Sequence, residues 1–564
     1  MSLLSRGIAI VGRLPRAHTH RVEIERDLEV TMPDGVVLLA DRYAPPDSTG
    51  LPIVLLRVPY GRVGFAALMA RLFAERGYQV VIQEVRGTGV SGGTFNALRD
   101  ERQDGLRTLD WIAEQPWFNG TVGMTGLSYL GHVQWAVAAD APPFVKAFAI
   151  HACGSEFRSA EYPGESFALY TSLRWAVGMG QRRKPMHRSL LGWIRNRRRL
   201  DRAYRQLPLQ EADRFAAGDH VGFFQDWLDH NEPGDPFWAE NDYSLRLADI
   251  TAKVSLLSGW YDIVLPRTLA DFRDLRVAGN DVRLTVGPWH HTQPASFFAG
   301  IRDGLEWLDT HLRGVTTSRR TSPVRIYVMG ARQWRALPDW PPPWTPQPWY
   351  LHATRVLEPH LPVASAADRY RYDPADPTPS VGGILLRADA GKVDDREKLE
   401  SRADVLTYTS APLRNDLEAI GDVSADLFIR ASRPNFDVFV RICDVAPNGR
   451  SVNVCDGPLR VAPERNAPDV SGVFRLKVEL WPTAYRFRRG NRVRVHVASG
   501  AHPRISRNLG GGEPLANATE RHPVDIEILH DPEHPSAVIL PVAAPTGAPP
   551  AAAAAAPPAA RRKR

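Results

Sequence analysis

Between residues 22 and 150 the chain alternates apolar runs with amphipathic stretches, and this rhythm restricts its fold more than any other feature. After the turn Pro33-Asp34-Gly35 come Val36-Val37-Leu38-Leu39-Ala40 and then Ile53-Val54-Leu55-Leu56. A helix is predicted over 66–76, closed by Gly77, followed by the buried-type strand Tyr78-Gln79-Val80-Val81-Ile82. A second helix over 106–115 carries Leu106, Leu109 and Ile112 on one side, then come a strand over 121–126 and a helix over 129–139. Strands that are apolar throughout and separated by helices point to a parallel sheet covered on both faces.

The rhythm stops over 151–244, where stretches rich in Trp, Phe and Arg carry helical texture without a clear buried strand. It returns at Val254-Ser255-Leu256-Leu257 and Val282-Arg283-Leu284-Thr285-Val286, with a further helix over 300–313. A helical insertion inside one α/β domain accounts for the gap. Beyond a proline-rich linker over 338–348, alternation of period two takes over, as in Arg492-Val493-Arg494-Val495-His496-Val497, with turns at Pro447-Asn448-Gly449 and Arg489-Gly490-Asn491. The expected organisation is an α/β domain over 1–150 and 245–345, a helical cap over 151–244, an all-β sandwich or jelly roll over 346–541, and a disordered Pro/Ala-rich basic tail over 542–564.

Composition removes several classes of function. No apolar run reaches the length of a transmembrane helix, and Gly7-Ile8-Ala9-Ile10-Val11-Gly12 is interrupted too soon by Arg13 and Pro15 for a secretory signal. Cys153, Cys443 and Cys455 form neither a disulfide framework nor a CxxC pair, so the expected setting is reducing and cytoplasmic. The formal net charge is +7, but four of those charges are Arg561-Arg562-Lys563-Arg564, leaving the body of the chain at +3. That balance supplies no nucleic-acid face. The glycines of Arg86-Gly87-Thr88-Gly89-Val90-Ser91-Gly92-Gly93 are not followed by Lys-Ser/Thr and lack dinucleotide spacing, so they read as a tight loop at the rim of a site. His18 and His20 are not read as a metal pair; no metal and no cofactor is expected.

The strongest chemical signal is Gly126-Leu127-Ser128-Tyr129-Leu130-Gly131, set between a strand and a helix. Such a turn lifts a serine hydroxyl above the sheet at a helix N-terminus, where free N–H groups favour negative charge. Leu130 stands where G-x-S-x-G has its second glycine, and the glycine follows one residue later. A serine nucleophile needs a base and the base an orienting carboxylate. Asp262 lies just beyond the strand containing 254–257, and His290 and His291 lie just beyond the strand containing 282–286. This gives the order serine, acid, histidine of an α/β-hydrolase.

With these residues the chain resembles the CocE/NonD hydrolases, the cocaine esterase-like group related to X-Pro dipeptidyl-peptidases and α-amino-acid ester hydrolases. The resemblance runs from about residue 25 to 541. It is carried by Met32-Pro33-Asp34-Gly35, Arg57-Val58-Pro59-Tyr60-Gly61-Arg62, the glycine loop, Trp111-Ile112-Ala113-Glu114-Gln115-Pro116-Trp117, the Ser128 turn, Gly259-Trp260-Tyr261-Asp262, Gly287-Pro288-Trp289-His290-His291, Ser410-Ala411-Pro412-Leu413 and His534-Pro535-Ser536. It implies a triad of Ser128, Asp262 and His291, since the family motif G-P-W-x-H makes its fifth residue the base. It also implies an oxyanion hole from the Tyr60 hydroxyl and the Tyr129 amide.

The expected activity is cleavage of an ester or amide of a small acyl substrate through an acyl-enzyme. An X-Pro dipeptidyl-peptidase is the alternative, and a non-catalytic binding protein a more distant one. No nucleic-acid or membrane partner is expected, and a homodimer is allowed. Two features of the cap pull toward opposite substrate charges. Glu156, Glu161 and Glu165 read first as surface carboxylates, although relatives use carboxylates to hold a substrate ammonium. Arg182, Arg183, Lys184, Arg188, Arg195, Arg197, Arg198, Arg199, Arg202 and Arg205 read first as a solvated face. The β domain is expected to supply no catalytic side chain and yet to be required for a soluble enzyme.

Overall fold

A computed structural model describes residues 2–180, 198–315 and 320–543. The helix α1 (Ser2–Val11) precedes a ten-stranded sheet. Its strands are β1 (Glu23–Thr31), β2 (Val37–Ala44), β3 (Ile53–Val58), β4 (Gln79–Glu84), β5 (Val122–Leu127), β6 (Val145–His151), β7 (Lys253–Tyr261), β8 (Val282–His290), β9 (Val324–Val328) and β10 (Gln333–Leu337). They lie in the order β1-β2-β4-β3-β5-β6-β7-β8-β9-β10. From β4 to β9 every pairing is parallel, as the alternation with helices requires.

The sheet is mixed rather than wholly parallel, because β1, β2 and β10 add antiparallel edges. β1 and β2 form a hairpin around Gly35, which has φ +83°. The turn is legible in the sequence. The strand before it is not, because Glu-Ile-Glu-Arg-Asp-Leu-Glu-Val-Thr lies on an edge with most side chains exposed and has no apolar run.

The helices α2 (Phe65–Ala74), α3 (Glu101–Ala113) and α4 (Tyr129–Ala138), with Leu265–Val277 and Pro294–Arg313, cover the two faces. α2 and Pro294–Arg313 share one apolar layer with Val54, Leu56, Val80 and Ile82. α3, α4 and Leu265–Val277 share the other with Leu55, Val81, Met124 and Leu256. Strand order reverses where the chain runs from β3 to β4 and returns beside β3 as β5. This places a switch point, and the crevice that goes with it, at the carboxyl ends of β3 and β5.

The segments between β6 and β7 are helical among the described residues, including Leu169–Gly180 and Gly222–Asp229. Of the arginine-rich stretch, Arg182, Arg183, Lys184, Arg188, Arg195 and Arg197 lie outside the described residues. Arg198, Arg199 and Arg202 are in or next to a helical segment, and Arg205 follows in a turn.

The second sheet has eleven strands and runs from Trp344–His352 to Ala537–Ala543. It starts inside the stretch read as a linker: Trp344–His352 pairs antiparallel with Ala537–Ala543, Pro346 opposite Pro541 and Pro348 opposite Ile539. Prolines two residues apart withhold their donors from one edge of the strand. On that strand's second side the neighbour Val356–Glu358 pairs only with Tyr350, Leu351 and His352. At the other end Val542 and Ala543 still pair, with Thr345 and Trp344, so the last strand crosses the point where the tail was expected to begin. Residues 544–564, with the basic quartet, lie outside the described residues.

The long strand Phe474–Phe487 shows how the two sheets meet. Its first six residues alternate buried and exposed, whereas Leu480–Tyr485 are all buried. The change falls where the strand leaves solvent and packs on β7, β9 and Leu265–Val277. Met329 N–H donates to the Ala484 carbonyl at 2.8 Å and Arg486 N–H to the Met329 carbonyl at 2.9 Å. Truncation after Pro346 should therefore give an aggregating or inactive product, read by size-exclusion chromatography and ester turnover, because it uncovers this apolar face. A soluble, fully active 1–346 protein would contradict the packing argument.

Candidate active site

Four segments end at the same rim of the first sheet: 59–61 after β3, Ser128 after β5, Asp262 after β7 and His291 after β8. Ser128 has φ +61° and ψ −122°, a strained turn that its surroundings hold in place. Its N–H donates to the His151 carbonyl at 2.9 Å, and its own carbonyl accepts from the N–H of Gly131 at 2.7 Å. The two glycines have separate reasons. A Cβ on Gly126 would sit 2.2 Å from the Leu130 Cβ, and one on Gly131 would sit 2.6 Å from the Cys153 Cβ. Gly126 admits the turn, and Gly131 lets α4 close on the end of β6. The displaced second glycine thus serves helix–strand packing, while position 130 can carry a leucine.

The tyrosine after Ser128 is locked from below. Its hydroxyl donates to Glu101 Oε1 at 2.6 Å and accepts from the Leu98 N–H at 3.2 Å. Glu101 is held in turn by the fully buried Arg57 at 2.7 Å. Burial raises the pKa of both Tyr129 and Glu101. The Tyr129 side chain therefore fixes the first turn of α4, whose leading N–H groups have no acceptor within the helix.

His291 stands between the other two groups. Its Nε2 is 3.0 Å from Ser128 Oγ and its Nδ1 is 2.9 Å from Asp262 Oδ1, with Asp262 and His291 both buried. A bulge selects this histidine. β7 and β8 pair in register through Gly259 and Gly287, then Tyr261 pairs with His290, so β8 carries one extra residue. The extra residue fits because Gly259 and Gly287 lack side chains: a Cβ would come within 2.2 Å of the Trp289 carbonyl at the first and 2.5 Å of the Trp289 ring at the second. His290 turns the other way, toward Tyr261 and Gly391, with its Nδ1 3.2 Å from Thr292 Oγ1. Burial keeps its imidazole below the ordinary pKa.

The second sheet reaches this rim with backbone and supporting contacts. Trp481 Nε1 donates to the Asp262 carbonyl at 3.0 Å, Tyr261 donates to the Asn453 carbonyl at 3.2 Å, and the Arg387 carbonyl lies 3.3 Å from Thr292 Oγ1. Trp481 was not legible as a site residue. Its position follows from a docking between two sheets that neither segment encodes alone.

Tyr60 is half-buried, two residues beyond β3, and its hydroxyl accepts from Trp175 Nε1 at 3.4 Å. It borders a cleft of about 1100 Å³ whose walls include Gly87, Thr88 and Gly89 from the glycine loop, Phe95, Phe223 and Asp226. Behind the wall Trp175 stacks on Trp227 with centroids 5.8 Å apart, and lies 5.0 Å from Phe223 and 6.0 Å from Tyr129. The Trp and Phe enrichment of the cap was visible in the sequence, but not that these rings gather against Tyr129, the residue after Ser128.

The three cap carboxylates are occupied. Glu156 accepts the Ser159 N–H at 3.0 Å and Glu165 pairs with Arg158 at 2.7 Å. Glu161 is not a surface group: it is buried against Ser172, and burial raises its pKa from 4.5 to about 8. A protonated Glu161 can donate to Ser172 Oγ, whose own proton goes to the Ala168 carbonyl at 2.7 Å. Between those pH values the folded chain holds a proton that the unfolded chain has lost, so this group's contribution to stability falls as pH rises. Glu161→Gln should melt above the parent at pH 8, with the gap closing toward pH 4.5; a gap independent of pH would rule out the protonated carboxyl.

His18 and His20 do not join a ligand cluster among the described residues. In the buried group Asp395, Cys443 and His496, Asp395 is held by Arg441 at 3.0 Å and His496 Nε2 by Glu400 at 3.0 Å. Among the described residues no helix is long and apolar enough to cross a membrane.

A mixed, centrally parallel sheet with a serine on a strand-to-helix turn, bonded through a histidine to a buried aspartate, defines a serine hydrolase of α/β-hydrolase architecture. The family model for X-Pro dipeptidyl-peptidase (S15 family) matches residues 34–293, and that for the X-Pro dipeptidyl-peptidase C-terminal non-catalytic domain matches 317–539. A cocaine esterase from Rhodococcus sp. (strain MB1 Bresler) is 31% identical over 92% of this chain and 98% of its own length. Two solved structures share the fold at 22% identity. An aminopeptidase from a marine sediment archaeon, Thaumarchaeota archaeon, has a TM-score of 0.81, and an α-amino acid ester hydrolase a TM-score of 0.79; each match covers 94% of this chain and 98% of the other. The chain belongs to the CocE/NonD-like hydrolase family and acts as a serine hydrolase on ester or amide bonds.

Proposed function

We propose that the protein is a carboxylic-ester hydrolase with Ser128 as nucleophile, His291 as base and Asp262 as the orienting acid. The observation that carries this reading is the unbroken line Ser128 Oγ, His291 Nε2, His291 Nδ1, Asp262 Oδ1, at 3.0 Å and 2.9 Å. Nδ1–H donates to Asp262, which leaves Nε2 as the acceptor facing the serine. As Ser128 Oγ attacks the acyl carbon, its proton passes to Nε2. The resulting imidazolium is stabilised by Asp262 and returns the proton to the departing alkoxide. Water then repeats the sequence on the acyl-enzyme, releasing the acid and restoring Ser128. The Tyr60 hydroxyl and the Tyr129 amide are the donors for the oxyanion, and Phe95 and Phe223, with Trp175 behind them, give the cleft beside Tyr60 an aromatic wall.

An ester is favoured over an X-Pro peptide because Glu156, Glu161 and Glu165 are each engaged within the cap. One observation supports the peptidase reading: the carboxylate of Asp226 lines the cleft and could meet a substrate ammonium. Fluorophosphonate labelling followed by rates on p-nitrophenyl esters and X-Pro anilides separates the two. Faster turnover of the anilides, lost in Asp226→Asn, would replace the esterase reading.

Tyr60→Phe should lower kcat by roughly 10²–10³ with little change in KM, since an oxyanion donor acts chiefly on the transition state. Steady-state kinetics on a p-nitrophenyl ester reads this directly, and an unchanged kcat would remove Tyr60 from the mechanism.

A further inference from the structure

We propose a second binding site, for a small organic anion with a flat apolar body, in the cleft between helix Pro294–Arg313 and strands β8–β10. The cleft follows from how the sheet is covered. Pro294–Arg313 packs chiefly on β5, β6 and β7, and only lightly on β8. The same face of β8, β9 and β10 is left open, as a hollow of about 770 Å³. Neither Ser128, Asp262, His291 nor Tyr60 lines it.

Its walls are cationic. Arg13, Arg302 and Arg325 line it, and among the described residues none of the three forms an ion pair. Arg302 bonds the Gly12 carbonyl, and Arg325 lies over the Trp334 ring at 4.5 Å. Asp303 and Glu306 also line it and share Arg283, at 2.9 Å and 2.8 Å, which offsets one of their two charges; Arg320 lines it as well, so guanidinium groups stay in excess. Burial first, then the charges of Arg13 and Arg325, hold Arg302 below its ordinary pKa. Guanidinium groups gathered in excess over carboxylates match a phosphate or carboxylate head, which accepts paired N–H bonds from them.

The remaining wall is aromatic. Trp289 and Trp334 have ring centroids 5.8 Å apart, and Trp334 is 39% exposed. A large indole left in solvent beside guanidinium groups suits a ligand that is anionic at one end and flat at the other. A phosphate and a carboxylate head both accept from these guanidinium donors.

The test uses the full chain with Ser128 blocked by a fluorophosphonate, so that the probe cannot engage the nucleophile. 1-Naphthyl phosphate is titrated by calorimetry, with tryptophan fluorescence in parallel, against inorganic phosphate and 1-naphthylmethanol; 1-naphthoate tests the carboxylate head. One-site saturable binding is expected for the naphthyl phosphate, the naphthoate or both, at least about tenfold tighter than for either fragment. The Arg302→Gln/Arg325→Gln protein should lose at least about tenfold in affinity, and Trp334→Ala should weaken the ring-bearing anions but not inorganic phosphate. Ester turnover of the unblocked variants reports that they are folded. Absence of saturable binding, affinity unchanged in the double variant, or inorganic phosphate binding as tightly as the naphthyl anions overturns the proposal.

Discussion

In the Ser128→Ala protein, p-nitrophenyl ester turnover should fall by roughly 10⁴-fold or more and fluorophosphonate labelling should disappear. The loss is large because the remaining groups have no atom to acylate: His291 Nε2 would face a methyl group in place of the hydroxyl oxygen it now meets at 3.0 Å. Stability should change by less than about 1 kcal/mol. The strained backbone, with φ +61°, is held by the His151 carbonyl and the α4 turn rather than by the hydroxyl, and alanine bears that conformation about as well as serine. Activity, labelling stoichiometry and the melting curve measured on one preparation decide the matter. Full labelling of the variant would place the nucleophile elsewhere.

The two adjacent histidines should differ by several orders of magnitude. His291→Ala should cost roughly 10⁴-fold or more in kcat, whereas His290→Ala should stay within about tenfold of the parent. His291 alone bridges Ser128 and Asp262. His290 packs at Tyr261 and the Gly391 loop, so its loss should appear mainly as reduced stability. The bulge between Gly259 and Tyr261 adds a sharper expectation. A side chain at Gly259 would collide with the Trp289 carbonyl and remove the room for the extra residue of β8. Gly259→Ala should therefore lower kcat although it touches no reacting group. If His290→Ala is the more damaging of the two histidine variants, the base has been assigned to the wrong ring.

The local chemistry was legible in the sequence because it is encoded in short segments. Strands β3 to β5 announce themselves as apolar runs closed by turn residues, and Ser128, Asp262 and the histidine pair each follow such a run. Position along the chain relative to a strand end was enough to bring them to one rim, since a parallel sheet places all its carboxyl ends together. The choice of His291 over His290 came from likeness to the family and not from the residues. Its physical cause, one extra residue in β8 accommodated by two glycines on neighbouring strands, exists only once β7 and β8 are paired.

What tertiary structure alone decided are matters of contact between distant segments. Glu161 reads as a surface carboxylate until the cap folds over it and raises its pKa to about 8. Trp481 looks like one apolar residue in a strand, yet docking of the second sheet brings its indole to the Asp262 carbonyl, 219 positions away. Pro346 and Pro348 suggested a linker, but an edge with no partner tolerates missing donors and leaves them inside a strand. The arginines at 13, 302 and 325 are unremarkable in sequence; they share a hollow because one helix stops short of β8–β10. Periodicity reports how each segment meets its own layer, because apolar burial is a property of a face. It carries no record of which layer a face meets, and here that pairing sets the charge state of Glu161, the support of Asp262 and the cationic hollow.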